Sequence, residues 1–450
     1  MILPITSEVG QNGHLVIGGN DVLKLREKYG TPLYIVDITT IRNQCQSYRE
    51  NFNFSDLDVG IIYAAKAFIC TAMCELIARE GLGMDVSAGG ELFIALNSGF
   101  PADRIYFHGN NKSAEEIQYG LESKVGYFMV DNFWELETLG KLCQKNNIRQ
   151  KIMLRVNPGI KANTHEHIQT GGIKSKFGFG LTSNIALEAV RKVNQYKNLE
   201  LTGIHAHIGS QIFNLSCYGR LIEVFIKFIR EVRDKLGVSI TRINIGGGLG
   251  VKYTPEDRPS SIKDLAKVVY DAVRKYQKKF DVRLDKLYLE PGRSIIGNAG
   301  VTLYKIGGVK EISGVKNYIL IDGGMSDNIR PMLYQAKYNA YLANRMEDSK
   351  NTEDGMKKHY SIVGKHCESG DVIIDDIKLP PVSSGDFMVV ATTGAYCYSM
   401  SSNYNGQPKS AVVAVENGKS WVWIKRQTYK DLVMGDVRLC QLPRPNGRGL

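Results

Sequence analysis

Eight short β-rich runs, each followed by an amphipathic stretch, dominate the first two thirds of the chain, and they restrict the possible folds more than any other feature. The runs are 60–64, 83–86, 105–108, 127–131, 151–157, 201–208, 242–245 and 286–290. Apolar residues at i, i+3, i+4 spacing predict helices over 91–98, 114–122, 134–145, 185–195, 221–236 and 262–280, and a further helical pattern, 67–80, follows the first run directly. Start signals support several of them: Ser113 stands three residues before Glu116, and Asp131 and Asn132 precede Trp134. Such alternation builds either an open doubly wound sheet or a closed barrel. Eight near-regular units over about 230 residues favour closure, so the expectation is a (β/α)8 TIM barrel.

Beyond position 290 the alternation stops. Runs at 301–309, 318–322, 359–363, 372–374, 387–391, 411–415 and 420–425 read as strands without crossover helices, separated by turns such as Glu416-Asn-Gly-Lys419. This predicts a C-terminal β-sandwich or partly closed barrel. Residues 33–37 form one more strand, without a helix of its own, and are expected to complete that β-domain. The chain of 450 residues is too long for one core. The expected division is a barrel over 38–298 and a β-domain from 1–37 and 299–450 that contributes substrate and dimer contacts. The polar stretch 348–357 is expected to be an exposed loop.

The formal net charge is +11, from 57 Lys and Arg against 46 Asp and Glu, but the basic residues are spread along the chain. No block of like charge, zinc-finger spacing or aromatic-basic RNA motif accompanies them, so no nucleic-acid partner is expected. The excess suits attraction of an anionic substrate or cofactor. No apolar run is long enough to span a bilayer, and residues 1–10 lack a signal-peptide pattern, so a cytoplasmic protein without membrane contacts is expected. Its eight cysteines form no CxxC pair and are read as thiols; Cys70 and Cys74, one helical turn apart, are expected in or near a core.

Barrel enzymes carry their chemistry at the C-terminal ends of the strands. Read in order, those ends offer Lys66, Asp85, His108 with Asn110 and Asn111, Asp131, Arg155 with Asn157, His207, Gly246-Gly247-Gly248, and Glu290 with Arg293. In Tyr63-Ala-Ala-Lys66 a strand delivers one amine to a strand-to-helix junction. Partial desolvation there can lower its pKa and make it a Schiff-base nucleophile, although a lone strand-end lysine is more often simply solvated. The glycine run within Asn244-Ile-Gly-Gly-Gly-Leu-Gly250 can turn backbone N–H groups toward a phosphate; it could also be only a tight turn, but its place after the seventh strand favours phosphate. In Gly203-Ile-His-Ala-His-Ile-Gly-Ser210, His205 and His207 share a strand face. Two histidines so placed could start a metal site with His108 and Asp85. The preferred reading makes His205 a hydrogen-bonded core residue and stacks His207 flat on an aromatic cofactor, with Ser210 near its phosphate, and expects no metal. Glu290-Pro-Gly-Arg293 fixes a carboxylate that can pair with a protonated ring nitrogen. Amine, phosphate cradle, stacking imidazole and ring-nitrogen carboxylate together describe a pyridoxal 5'-phosphate site.

Over almost its whole length the chain resembles the diaminopimelate decarboxylases, fold-type III pyridoxal phosphate enzymes of the alanine racemase and ornithine decarboxylase superfamily. The resemblance rests on Tyr63-Ala-Ala-Lys66, Gly81-Leu-Gly-Met-Asp-Val-Ser-Ala-Gly-Gly-Glu91, His108-Gly-Asn-Asn-Lys-Ser113, Ser175-Lys-Phe-Gly178, His205-Ala-His-Ile-Gly-Ser-Gln211, the glycine run, Glu290-Pro-Gly-Arg293, His366-Cys-Glu-Ser-Gly-Asp371 and Gly394-Ala-Tyr396. It implies decarboxylation of meso-diaminopimelate to L-lysine, the last step of lysine biosynthesis. It implies that Lys66 holds the cofactor, with Asp85, His207, Ser210, Gly246, Gly247, Gly248, Glu290, Arg293 and Tyr396 around it. Arg293, Arg330, Tyr334, Glu368 and Tyr396 are the implied substrate contacts. Cys367 is the implied proton donor, reaching the site from the second subunit of a homodimer with shared active sites. A related decarboxylase acting on ornithine, arginine or a carrier-linked amino acid is the alternative. Glu368 followed by Ser369, where ornithine-type relatives usually carry Asp, favours a substrate with both an amine and a carboxylate. Two departures from the family pattern stand out. Phe68 replaces a frequent Asn and is expected to begin the first barrel helix. Cys397 replaces a frequent Gly and is expected to fill space.

Overall fold

The computed structural model of the chain describes residues 2–160, 175–348 and 356–438. Eight parallel strands close on themselves: β1 (Asp58–Ala64), β2 (Gly83–Val86), β3 (Ile105–Phe107), β4 (Tyr127–Val130), β5 (Gln150–Asn157), β6 (Leu199–His205), β7 (Arg242–Asn244) and β8 (Lys286–Leu289). Each pairs with the next, and β8 pairs with β1 through Leu289 and Ile61. Closure removes every open edge, so the interior must be filled by side chains. At one end Tyr106, Tyr127 and Tyr288 pack together with Ile62, Met129 and Met153, the Tyr106 and Tyr127 rings stacking at 4.7 Å.

The helices that wrap the barrel follow from amphipathic sequence and local caps. Ser113 and Glu116 form a reciprocal capping box at the head of Ala114–Glu122, as their spacing predicts. Asn132 caps Phe133–Lys145 by accepting from the Glu135 N–H. Ser216–Leu236 buries Leu221, Ile222, Phe225, Ile229 and Val232, and ends at Gly237 in the left-handed region. It packs against Ile262–Phe280, which Ser261 and Asp264 cap.

Two features differ from expectation near the barrel's entrance. The helix expected over 67–80 begins only at Thr71: Ala65–Ala67 makes a single tight turn, and Phe68 is extended. Tertiary packing overrides helical periodicity here, because the Phe68 ring stacks on Trp423 and meets Tyr398 edge-on. The strand Leu33–Asp37 does have a helix of its own, Ile38–Asn51, capped by Asp37. Its buried Ile38, Ile41, Cys45 and Tyr48 have helical spacing, but Thr, Asn and Ser between them are weak helix formers that hide the pattern.

Leu33–Asp37 nevertheless leaves the barrel. It lies between Gly300–Ile312, to which it is antiparallel, and Ala411–Glu416, to which it is parallel. The second sheet continues outward through Lys316–Ile321, Lys358–Val363 and Val372–Leu379 on one side and Lys419–Ile424 on the other. Phe387–Val390 also pairs with Gly300–Ile312 and carries Ala340–Leu342. Two ends of the chain thus complete one mixed sheet. Most of the loop expected over 348–357 lies outside the described residues. Among the described residues no helix is long and apolar enough to cross a membrane.

Candidate active site

Barrel closure gathers the strand ends around a cavity of about 380 Å³. Lys66, Asp85, His207, Ser210 and Glu290 line it from the barrel, and Arg293, Arg330, Tyr334 and Tyr396 line it from segments that follow. A volume of this order suits a small-molecule site with a few convergent polar groups. A roomier cavity, about 480 Å³, opens among the β1 and β8 starts, but its cations already have partners. Lys286 sits 2.6 Å from Asp58, and Arg104 donates to the Ala78 and Leu82 carbonyls. Chemistry, not volume, distinguishes the two.

Glu290 is the best-held group of the site. It is 4% exposed, and it follows β8 directly. Asn244 Nδ2 donates to its Oε1 at 2.7 Å, His205 Nε2 bonds its Oε2 at 3.0 Å, and His108 Nε2 lies 2.8 Å from Oε1. Burial alone would raise its pKa; the two imidazoles outweigh that and hold it well below the usual carboxylate range. Burial also pushes His205 down to about 4, against the pull of Glu290, so His205 is neutral and donates from Nε2. Thus His205 is a hydrogen-bonded buried residue, as expected, and its partner is Glu290. His108, His205 and Glu290 are a possible ligand trio for a metal, but their separations are those of a carboxylate held by nitrogen donors.

His207 stands just past the end of β6. Burial, with Lys66 and Arg155 nearby, drives its pKa well down, so the ring is neutral. The Gly247 N–H donates to its Nδ1 at 3.3 Å, which fixes that nitrogen as an acceptor. Gly246 and Gly248 have φ of 69° and 108°, and a Cβ on Gly247 would sit 2.1 Å from the Glu290 carbonyl oxygen. The run therefore has to be glycine for backbone reasons, and it fixes His207 from behind the cavity rather than lining it.

Lys66 Nζ lies 4.0 Å from Asp85 Oδ2, and its side chain is 41% exposed through the cavity. The expected fall in its pKa does not occur in the protein alone. Desolvation lowers it, but Asp85, Tyr396 and Glu290 together outweigh that and leave it raised. Asp85 is 1% exposed, and its Oδ1 accepts no hydrogen bond among the described residues. Tyr396 adopts a left-handed φ of 63°, which costs an ordinary residue roughly 1 kcal/mol. Its N–H donates to the Ala67 carbonyl at 2.8 Å, and Ser399 Oγ donates to the same oxygen. The second sheet thereby grips the turn that carries Lys66.

The cationic side combines Arg293 and Arg330, both 7% exposed. Arg293 NH2 donates to Ser210 Oγ at 2.9 Å, and its guanidinium lies 4.7 Å from the Tyr396 ring centroid. Sequence reasoning missed the groups that hold these arginines, Tyr253 and Tyr338; isolated tyrosines in irregular segments carry no periodicity to reveal them. It also left Phe177, in the Ser175–Gly178 motif, without a role. The Arg155 guanidinium lies 4.2 Å from that ring centroid.

Two expected residues are not brought to this cavity within the chain. Cys367 is exposed, its N–H donating to Asn405 Oδ1 at 2.9 Å, and Glu368 lies beside it in the same turn. His366 and Asp371 clasp this turn through a 2.7 Å Nδ1–Oδ2 contact. Cys397, by contrast, is fully buried, and burial raises its thiol pKa, as suits a space-filling group.

Known proteins resemble this chain in sequence and fold. Residues 38–297 match the family "Pyridoxal-dependent decarboxylase, pyridoxal binding domain". The diaminopimelate decarboxylase of Bacillus subtilis is 45% identical over 97% of this chain and 98% of that protein. That of Staphylococcus aureus is 42% identical over 96% of this chain and all of its own length. The crystal structure of a diaminopimelate decarboxylase from M. jannaschii in complex with L-lysine superimposes with a TM-score of 0.90 at 33% identity, covering 98% of this chain and 100% of that one. A lysine/ornithine decarboxylase from Vibrio vulnificus, at 21% identity and a TM-score of 0.74, shares the fold.

Proposed function

The chain belongs to the pyridoxal-dependent decarboxylase family, and on that premise we propose that it removes CO2 from meso-diaminopimelate and releases L-lysine. The observation that carries this reading is one cavity that holds the Lys66 amine, the ionised Glu290 and two buried guanidiniums, Arg293 and Arg330. A cofactor with a protonated ring nitrogen and a phosphate, together with a substrate that bears a carboxylate, matches that set of charges. The residues fit pyridoxal 5'-phosphate. The cavity has room, and Asp85 Oδ1 and Arg293 Nε are buried without a hydrogen-bond partner among the described residues.

When bound, the cofactor supplies the electron sink for the carbanion left by CO2. Lys66 would hold it covalently through Nζ and, once displaced by the substrate amine, would be a second candidate beside Cys367 to give a proton from Nζ to Cα. Glu290, kept ionised by His108, His205 and Asn244, would hold a proton at the ring nitrogen. The neutral His207 would lie flat against the ring, braced by the Gly247 N–H. Ser210, Arg293 and Tyr396 would surround the phosphate, while the glycine run, expected to cradle it, has its Gly246 and Gly247 N–H groups taken by Asn244 and His207. Arg330 and Tyr334, with Arg293 and Tyr396, would bind and orient the substrate.

Cys367 and Glu368 enter this reading through a second copy of the chain. The exposed Cys367 turn would complete the cavity of its partner in a homodimer, Cys367 donating the proton to Cα and Glu368 binding the distal amine. In this reading residues 38–298 form the cofactor-binding barrel, and 1–37 with 299–450 form the β-domain that carries the turn. In this reading the enzyme works in the cytoplasm.

The purified holoprotein is expected to show a visible band that borohydride bleaches, to release CO2 from meso-diaminopimelate and to form L-lysine. Preference for ornithine or arginine in a substrate panel, or a colourless protein active only with zinc, would overturn the assignment. Cys367→Ala should keep the band and lose on the order of 10²-fold or more in turnover. Mixing Lys66→Ala and Cys367→Ala proteins, each inactive alone, should restore up to about a quarter of wild-type activity, because random pairing leaves one intact site in half of the dimers. Absence of any recovery after subunit exchange would argue against shared sites.

A further inference from the structure

Tyr253 lies in the loop after the glycine run, and its hydroxyl is a bridge. Its oxygen accepts from Arg330 NH1 at 3.1 Å and also from Arg293 NH1. Its ring meets Tyr338 edge-on, with centroids 5.2 Å apart at 87°, and the Tyr338 hydroxyl accepts from Arg330 as well. Both tyrosines are 5% exposed. Asp257 pins the backbone on which Tyr253 stands, accepting from the Tyr253 and Thr254 N–H groups at 2.8 and 2.9 Å.

The named partners of the two guanidiniums, Ser210, Tyr253 and Tyr338, are all neutral hydroxyls. Two buried like charges that share one oxygen repel each other at short range. The phenol oxygen offers two lone pairs, one for each, and so keeps both cations together without neutralising either. A carboxylate or phosphate at this wall gains full attraction from both. An acidic residue in place of Tyr253 would consume that attraction.

We propose that Tyr253 is a positioning residue that sets the spacing of Arg293 and Arg330 and thereby sets the preference for ligands that carry a carboxylate. This inference rests on the decarboxylase reading above, since that reading supplies the ligands. It goes beyond that reading in assigning specificity to a phenol that is not itself one of the lining groups of the cavity.

L-Lysine and cadaverine separate the two claims, because they differ by one carboxylate. Calorimetric titration of the holoenzyme is expected to give tighter binding of L-lysine than of cadaverine. Tyr253→Phe keeps the ring and removes the bridge. It should weaken L-lysine about 10-fold, leave cadaverine within two-fold, and raise KM for meso-diaminopimelate far more than it lowers kcat. The borohydride-sensitive band and the melting temperature report whether the variant is loaded and folded. If it is not, Tyr338→Phe, which removes the other phenolic partner of Arg330, is read in the same way. Equal weakening of both ligands, or no change in either, overturns the inference while leaving the function intact. A wild-type protein that neither binds L-lysine nor turns over meso-diaminopimelate overturns both.

Discussion

Replacing Lys66 with Ala is expected to abolish the borohydride-sensitive band and to reduce turnover by on the order of 10³–10⁴-fold, while the fold remains. The side chain projects from a single tight turn, Ala65–Ala67, into the cavity, and the Asp85 carboxylate stands 4.0 Å from its Nζ. Little packing is lost with it, so the melting temperature of the cofactor-free variant should stay close to that of the cofactor-free wild type. Residual binding of cofactor through Ser210 and Arg293 would persist without the covalent link. Retention of a bleachable band in Lys66→Ala would mean that a different amine holds the cofactor.

Lys112 is the opposite case. Lys112→Met is expected to destabilise the folded protein by about 3–5 kcal/mol, measured by chemical denaturation, because it leaves a buried carboxylate unpaired. Lys112 is 1% exposed and Glu135 fully buried. Their charged groups lie 2.7 Å apart, and Nζ also donates to the carbonyls of Gly109 at 2.8 Å and Met129 at 3.1 Å. Glu135 in turn accepts from the Asp131 N–H at 3.0 Å. The pair therefore ties the loop after β3 to the end of β4, beside His108 and Asp131. The double variant Lys112→Met/Glu135→Leu should recover a good part of the loss, since no lone charge remains. A single variant as stable as wild type would show that water or another group relieves Glu135.

These two lysines illustrate the limit of reading a chain in one dimension. Both follow barrel strands, and both belong to motifs. Only the folded environment makes one a structural clip and leaves the other open to a cavity. The same holds for His205, whose alternation with His207 was plain but whose partner, Glu290, lies 85 residues away. The pKa of Lys66 is a further instance. A strand-end position suggests desolvation, whereas the sign is decided by Asp85, Tyr396 and Glu290, which come from different elements. The helix Ile38–Asn51 and the late start at Thr71 show the converse, where local propensity misled and distant rings or buried apolar residues won.

By itself the sequence determined the barrel, because eight strand–helix periods encode pattern locally, residue by residue. It determined which strand ends carry polar groups, and its motifs pointed to the chemistry. Tertiary structure alone decided that the glycine run braces His207 and that one phenol oxygen joins Arg293 to Arg330. Contacts of that kind form between segments tens to hundreds of residues apart. They leave no period in the chain, and their energies depend on distances and burial that exist only once the barrel has closed.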